Sequence, residues 1–467
     1  MNDYMKRMTS AYGDLYDYID FSSLEGWECY SEQLDDEYRQ STEEGKDIEH
    51  LKPLFEAVRA LPKGPEKSRM ADEIFKLIAK AGTREGYPYV EPDEIDAIFA
   101  ERPADKVIEK RAIPADIKDK LTGAWYGRIC GCLAGKPVEG CNEEDLTPFL
   151  KASNNYPMHR YMLSTDVPAD AKEKYKFWFT NGGLTYADRV TCAPVDDDTN
   201  YTVLYQQLVK SCGRGFTPRN VAGLWMSRQP KSAYCTAERV AIRNFVAGLM
   251  PPASAVYHNP YREWIGAQIR ADYFGYINPG DPEAAAEMAW RDASVSHVKN
   301  GIYGEMFVAA MIAAAAVEDD IITIIKAGLA QIPEHSRLYE AVTNEITAYQ
   351  NGVTQEEAFA KIHAEWDEHF SHYWCHTISN ALIVVAALLY SGGDYTKAVG
   401  MAVQTGFDTD CNGATTGSIL GMRNGSKGVG EEWKAPLNGM QDTTITGVGK
   451  VTIESLIETT LSHLPKD

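Results

Sequence analysis

The stretch GAWYGRICGCLAGKPVEG, residues 123–140, governs how this chain folds. Gly123, Gly127, Gly131 and Gly135 recur every four residues, so in an α-helix they line one face. Glycine costs a helix about 0.5–1 kcal/mol against alanine. A stripe of glycines therefore implies a packing reason, which is a second helix close enough for backbones to touch. Similar stripes occur in membrane helices, but Arg128 and the short apolar length exclude a span here. The helix is expected to end near Gly135 and Pro137, with Glu139 projecting from the turn that follows.

A second stripe lies in GFDTDCNGATTGSILG, residues 406–421, where Gly413, Gly417 and Gly421 repeat the spacing. It too offers a smooth face to another helix. Just before it stand Asp408 and Asp410. Two residues apart, they do not share a helical face, but in a loop entering a helix both can converge on one ion. Such a pair in isolation is more often a turn than a ligand set.

The third feature is VDDDTNYTVL, residues 195–204. Three adjacent aspartates precede an apolar-periodic segment, which places them at a helix N-terminus. One of them serves as a cap, and three exceed what capping needs. A solvated acidic run is one reading. The flanking Val195, Val203 and Leu204 favour partial burial instead. Carboxylates buried that close cannot all ionise without cations, and hard cations take carboxylate oxygens.

The remaining pattern is helical. Apolar residues recur at helical spacing over 284–294, 304–317, 319–330, 337–352 and 354–367, and segment 377–390 is apolar nearly all round, as in a buried central helix. Strand-like alternation is confined to 445–453. The fold class is all-α. Residues 1–112 differ in composition, being rich in charge and helix formers, with helices expected over 51–61 and 70–81 and a third opening at Pro92. They are expected to form a helical N-terminal extension to a catalytic domain over 113–467.

Composition is that of an ordinary globular chain, with 44% hydrophobic and 24% charged residues in 467. A net charge of -21 argues against a nucleic-acid partner. It leaves room for a small anionic substrate, because bound cations reverse the local sign of a site. The most apolar stretch, 381–390, is far below the ~20 residues that cross a bilayer, so no membrane partner is expected. The start MNDYMKRMTS does not read as a signal peptide. The nine cysteines are scattered without a CxxC pair. Together these features suggest a reduced, cytoplasmic setting.

In order along the chain, the three motifs resemble the ADP-ribosylglycohydrolase family, the group that includes the dinitrogenase-reductase-activating glycohydrolase. That family opens with a glycine-spaced helix ending in a G-x-P-x-E-like turn. It continues with [TSDE]-D-D-T and finishes with G-x-D-T-D-[TC]-[NI] before a small-residue helix. The resemblance spans roughly residues 117 to 425. It implies a compact orthogonal helical bundle and a binuclear site for two divalent cations, Mg²⁺ or Mn²⁺. Asp196, Asp197, Asp198, Asp408 and Asp410 match the family's metal ligands. Cys411 stands where many members carry a ligating threonine, and a thiol is a poor Mg²⁺ ligand. Glu139 matches the family glutamate near the site entrance, as a catalytic or substrate-binding group.

The implied reaction is hydrolysis at a ribosyl C1, through an oxocarbenium-like state, with Asp198 or Asp410 accepting the proton of the attacking water. The implied substrate is an ADP-ribosylated protein or a small molecule. One element departs from the pattern. Many members carry a G-N-G-x-x-M-R-like phosphate loop, and the best match here is WIGAQIR, residues 264–270, followed by Gly275. It keeps Gly266 and Arg270 as substrate-binding candidates but places bulky Trp264 and Ile265 where close backbone approach is needed, and adds Asp272. That departure favours a metal-dependent nucleosidase as the alternative, with Trp264 stacking on a base. A non-catalytic, structural member of the family is a further alternative, which predicts eroded aspartates. Further substrate-binding candidates are His297 and Asn300, in a segment expected to loop between two helices, and His376 and Asn380, four apart on the buried helix. His363, His369 and His372 are expected at the surface.

Overall fold

The computed structural model describes residues 16, 19–24, 26–104, 107–175 and 185–466. The first fifteen residues of the expected N-terminal extension thus lie outside the described residues. The helices that matter for the site are α1 (Leu34–Glu43), α2 (Lys52–Arg59), α3 (Pro65–Lys80), α4 (Ile117–Gly135), α5 (Asp197–Cys212), α6 (Thr236–Val246), α7 (Lys299–Ala315), α8 (Thr377–Tyr390) and α9 (Thr409–Asn424). Strand pairing among the described residues is one short antiparallel ribbon, Met440–Gln441 against Val451–Thr452. The alternation over 445–453 therefore yields only two strand residues, because Ile445 to Val448 closes a turn through a Val448 N–H to Ile445 carbonyl bond of 3.0 Å.

The two glycine stripes face each other. Gly123 lies against Gly421, Gly127 against Gly417, Gly131 against Gly413, and Gly135 against Thr409. A methyl group on Gly131 would sit 2.0 Å from the Gly413 carbonyl oxygen, and one on Gly127 would sit 2.1 Å from that of Gly417. Only glycine permits this approach, so the propensity cost of each stripe is offset by a backbone-to-backbone seam. The seam runs antiparallel and brings the C-terminal end of α4 onto the N-terminal end of α9.

Around that seam lies one large apolar core. In α8, Thr377 to Leu389 are all buried, as the all-round apolar pattern requires. In α7, Asn300 to Ala315 are all buried as well. That helix begins five residues before the apolar periodicity does, because its first turn carries the polar Lys299 and Asn300.

Helices α1 to α3 close a small core of their own, with Leu34, Ile48, Phe55, Val58, Ile74 and Ile78 buried. Pro53 sits in the first turn of α2 as expected. Pro92 does not open a helix. The next helix is Ile95–Ala100, capped at Glu94, and the Pro92 carbonyl instead accepts the Tyr303 hydroxyl at 2.5 Å. This layer is fastened to the body by buried ion pairs. Arg262 meets Glu44 at 2.6 Å and Glu37 at 2.8 Å. Arg337 meets Glu263 at 2.7 Å and Glu91 at 2.9 Å. Removing one partner of such a pair strands a buried charge, at about 3–5 kcal/mol. Cavities of about 410 and 620 Å³ open along this seam, beside Arg337 and Arg262 respectively, rather than over the aspartates. No helix among the described residues is long and apolar enough to cross a membrane.

Candidate active site

Both aspartate motifs enter helices. Asp196 is the N-cap of α5, and its carboxylate accepts the Asp198 N–H at 2.9 Å. That is the expected capping role. It leaves Asp197 and Asp198 in the first turn, where the helix dipole favours anions. At the other motif, Gly406 (φ 76°) and Phe407 (φ 55°) turn the chain through the left-handed region. They deliver Asp408 to the N-cap of α9 and Asp410 to its first turn. Asn380 braces this loop from α8, its Oδ1 accepting Asn412 Nδ2 at 2.8 Å and the Asp408 N–H at 3.3 Å.

The glycine seam brings the motifs together. Gly135 leaves no room for a Cβ, which would meet the Thr409 carbonyl carbon at 2.3 Å and the Asp410 nitrogen at 2.4 Å. Beside the glycines on α4 runs a second four-residue stripe, Arg128, Cys132 and then Lys136 just past the helix end. Arg128, fully buried, meets Asp198 at 3.0 Å and Asp272 at 2.8 Å. Lys136 forms an ion pair with Asp196. Two overlapping donor groups result. Cys132, Asp196, Asp198 and Asp410 offer ligand atoms within 4.8 Å of one another, and so do Asp408, Asp410 and Cys411. Asp410 belongs to both.

The electrostatics is that of crowded anions. Burial, then Asp196 and Asp410, push the Asp197 carboxyl up to about 8. Burial and Asp196 push Asp410 up to about 6. Asp198, Asp408 and Glu139 are raised well above the usual carboxylate range, by burial first and neighbouring carboxylates after it. Asp196 alone is lowered, because the Lys136 ammonium outweighs burial. Arg128 and Lys136 cannot balance these carboxylates, and Arg128 is shared with Asp272. Asp198 Oδ2 and Asp410 Oδ1 are buried without a hydrogen-bond partner among the described residues. Buried, unsatisfied carboxylate oxygens are costly, and a divalent cation is the group that satisfies several at once. The residues present therefore fit a cation.

Most of the cluster is closed off, with Asp196, Asp198, Asp408 and Asp410 buried. Asp197 and Glu139 are partly exposed, which marks the mouth. Cys235, also partly exposed, lies within electrostatic reach of Asp197, Glu238 and Glu139.

The family model for ADP-ribosylglycohydrolase matches residues 113–463, three quarters of the chain. The chain belongs to the ADP-ribosylglycohydrolase family. It is, accordingly, a glycosidic-bond hydrolase. No curated protein sequence matches it. A solved structure described as an ADP-ribosylglycohydrolase-related protein complex aligns at 15% identity and a TM-score of 0.46, covering 75% of this chain and 98% of the other.

In this glycohydrolase the WIGAQIR segment is not an open phosphate loop. The Arg270 guanidinium is fully buried and paired with Glu238, with Asp292 at 2.5 Å and with Glu305 at 3.5 Å. All of its charge is committed to carboxylates. Gly266 makes room for the Glu238 carboxylate, and Gly275 for Ile312 of α7. Trp264 is buried, and its indole N–H donates to His372 Nδ1 at 3.1 Å, so it has no face open to a base.

The other candidates lie inside the protein as well. His297 is buried with Nδ1 at 2.8 Å from Ser296 Oγ, while its Nε2 has no partner among the described residues. Asn300 stands in the first turn of α7, not in a loop, and bonds Glu91 at 2.7 Å and the Leu338 N–H at 3.0 Å. His376 caps α8 through Nδ1, at 3.1 Å from the Ile378 nitrogen. Asn380 does reach the second aspartate motif, as a brace for Asp408 rather than an open group.

His372, expected at the surface, is buried beside His376 and Glu43, and the three offer ligand atoms within 4.8 Å. Their hydrogen bonds argue against a metal. Both Nδ1 atoms accept N–H groups, from Trp264 and from Ile378, so both protons sit on Nε2. Ligation there needs the opposite tautomer. The His372 Nε2–H instead donates to Glu43 at 3.1 Å, which latches α1 to the body.

Sequence reasoning missed Arg128, Cys132 and Lys136 as members of the site. They carried a signal: they are four apart on the face adjoining the glycine stripe. Glu238 stands in the polar stretch 234–239 at a helix start, which reads either as pocket lining or as solvated charge, and the Gly266 contact from a distant segment places it.

Proposed function

We propose that this chain is a divalent-cation-dependent hydrolase of a ribosyl C1 glycosidic bond, acting on ADP-ribosyl groups carried by a protein or small acceptor, with Mg²⁺ or Mn²⁺ as the cation. The observation that carries the reading is the pair of buried, unpartnered oxygens, Asp198 Oδ2 and Asp410 Oδ1, inside a cluster with more carboxylates than protein cations. Asp196, Asp197, Asp198, Asp408 and Asp410 are the residues that hold the cation. Bound there, a cation orients sugar hydroxyls and makes water a better nucleophile.

The protein's own groups supply the rest. Asp410, pushed up to about 6 by burial and Asp196, is the carboxylate that takes the proton of the attacking water in this reading. Glu139 is raised well above the usual range by burial first and Asp410 after it, which favours its protonated form. At the mouth, that proton is available to the leaving group. The surrounding carboxylates stabilise positive charge developing on the ribose. The described residues of the extension brace the body through the ion pairs of Glu37 and Glu44 with Arg262 and of Glu91 with Arg337.

A nucleosidase is the second reading, and Arg270 favours it. With that guanidinium bound by three carboxylates, the WIGAQIR segment offers no cation to a diphosphate. Assay of purified protein on an ADP-ribosylated protein and on free nucleosides, each with Mn²⁺, separates the two. Release of ADP-ribose alone supports the first reading. Release of free base alone overturns it in favour of the second.

A further inference from the structure

We propose that the Lys136 ammonium occupies one of the two cation positions implied by the family resemblance, so that this chain binds one divalent cation and not two. The inference rests on the cation-dependent reading above and sharpens it.

The two donor groups share Asp410 but differ in what already neutralises them. In the group of Cys132, Asp196, Asp198 and Asp410, Lys136 is paired with Asp196 and Arg128 with Asp198. In the group of Asp408, Asp410 and Cys411, neither Lys136 nor Arg128 is paired with Asp408, while the Lys136 charge also reaches Asp410, which both groups share. Both protein cations are thus paired on the first half of the cluster, and Asp408 on the second half is paired with neither. Unpartnered oxygens remain at Asp198 Oδ2 on the first half and at the shared Asp410 Oδ1, which a divalent ion on the second half can use.

The position of Lys136 is built into the fold. It follows Gly135, which the Thr409 and Asp410 backbone admits only as glycine. It opens the short 3₁₀ turn Lys136–Val138, with Pro137 inside it. The stem is therefore launched from the point where α4 meets the start of α9. Its side chain is 14% exposed, and that of Asp196 is 1% exposed. A lysine ammonium is a compact charge with three donors. It meets carboxylates from several sides, as a metal does, with half the charge of a divalent ion. A divalent ion at the same oxygens would be repelled by it.

The test counts ions. Metal-free full-length protein is titrated with Mn²⁺ by calorimetry, bound manganese is measured after gel filtration, and the Mn²⁺ electron spin resonance spectrum is recorded. Wild type is expected to bind one Mn²⁺ per chain with the spectrum of an isolated ion. Lys136→Met and Lys136→Gln, two uncharged replacements of similar length, are expected to bind two, with the broadened spectrum of a spin-coupled pair sharing Asp410. Two ions in wild type overturn the inference whatever the variants do, and leave the cation-dependent reading standing. One ion in wild type and one in a folded variant also overturn it, since Lys136 then holds no cation position. No ion in wild type overturns both this inference and the reading beneath it.

Discussion

Gly131→Ala tests the seam on which the site is built. The added methyl would sit 2.0 Å from the Gly413 carbonyl oxygen and 2.5 Å from its carbon, against the 3.4 Å at which ordinary contact begins, so α4 and α9 must part by about 1.4 Å. Both obstacles are backbone and cannot rotate away. Overpacking of this kind costs about 3 kcal/mol, and the better helix propensity of alanine returns about 0.5–1. The net loss of ~2 kcal/mol lowers Tm by ~2 °C, given an unfolding entropy of about 2.1 cal/mol/K per residue. The same parting moves Asp410 away from Asp196 and Cys132, so Mn²⁺ affinity is expected to fall about tenfold, or ~1.4 kcal/mol. Thermal unfolding and calorimetric titration measure the two effects. Gly223→Ala is the control. Gly223 lies in the helix Pro218–Arg228 with nothing within 4 Å of an added methyl, so it gains propensity without a clash and raises Tm by ~1 °C. A Gly131→Ala protein with unchanged Tm and Mn²⁺ affinity would refute the argument that the backbone seam sets the site.

Arg270→Met leaves Glu238, Asp292 and Glu305 buried without their shared cation. A loss of about 3–5 kcal/mol in urea unfolding is expected, while wild-type stability with weakened substrate binding would show Arg270 to be a ligand group instead. Glu368 accepts the Glu143 N–H at 2.8 Å and the Phe407 N–H at 3.2 Å, and burial pushes its carboxyl up from 4.5 to about 7. The folded state thus keeps a proton that the unfolded chain releases near 4.5, so stability falls as pH rises from about 4.5 to about 7, by up to ~3 kcal/mol. Glu368→Gln should remove that slope, as followed by denaturant unfolding at several pH values. An unchanged slope would put its origin elsewhere.

The sequence made the helical frame legible where a pattern was local. The glycine spacing announced a close helix contact at each stripe, though not that α4 and α9 are each other's partners, and the apolar run over 377–390 matched α8 residue for residue. The three-aspartate run correctly placed a cap and two further carboxylates at a helix start. The substrate side was not legible, because polar residues look alike in a sequence whether they face solvent, ligand or one another. Arg270 reads as a phosphate ligand until Glu238, Asp292 and Glu305 arrive from three other segments. His372 reads as a surface residue until Trp264 and Glu43 close around it. Lys136 shares the four-residue spacing of Arg128 and Cys132, but its partner Asp196 is sixty residues away. The spacing marks the face and leaves the long-range ion pair unread.

The central claim is that the cluster of Asp196, Asp197, Asp198, Asp408 and Asp410 hydrolyses a ribosyl C1 bond with a divalent cation. Its most direct test is the rate of ADP-ribose release from an ADP-ribosylated protein by chelated and Mn²⁺-restored enzyme, for wild type and Asp410→Asn. The account predicts no release by chelated wild type, full recovery with Mn²⁺, and no recovery in an Asp410→Asn protein whose far-ultraviolet circular dichroism is unchanged. Undiminished turnover by the thoroughly chelated enzyme, or by Asp410→Asn, contradicts it.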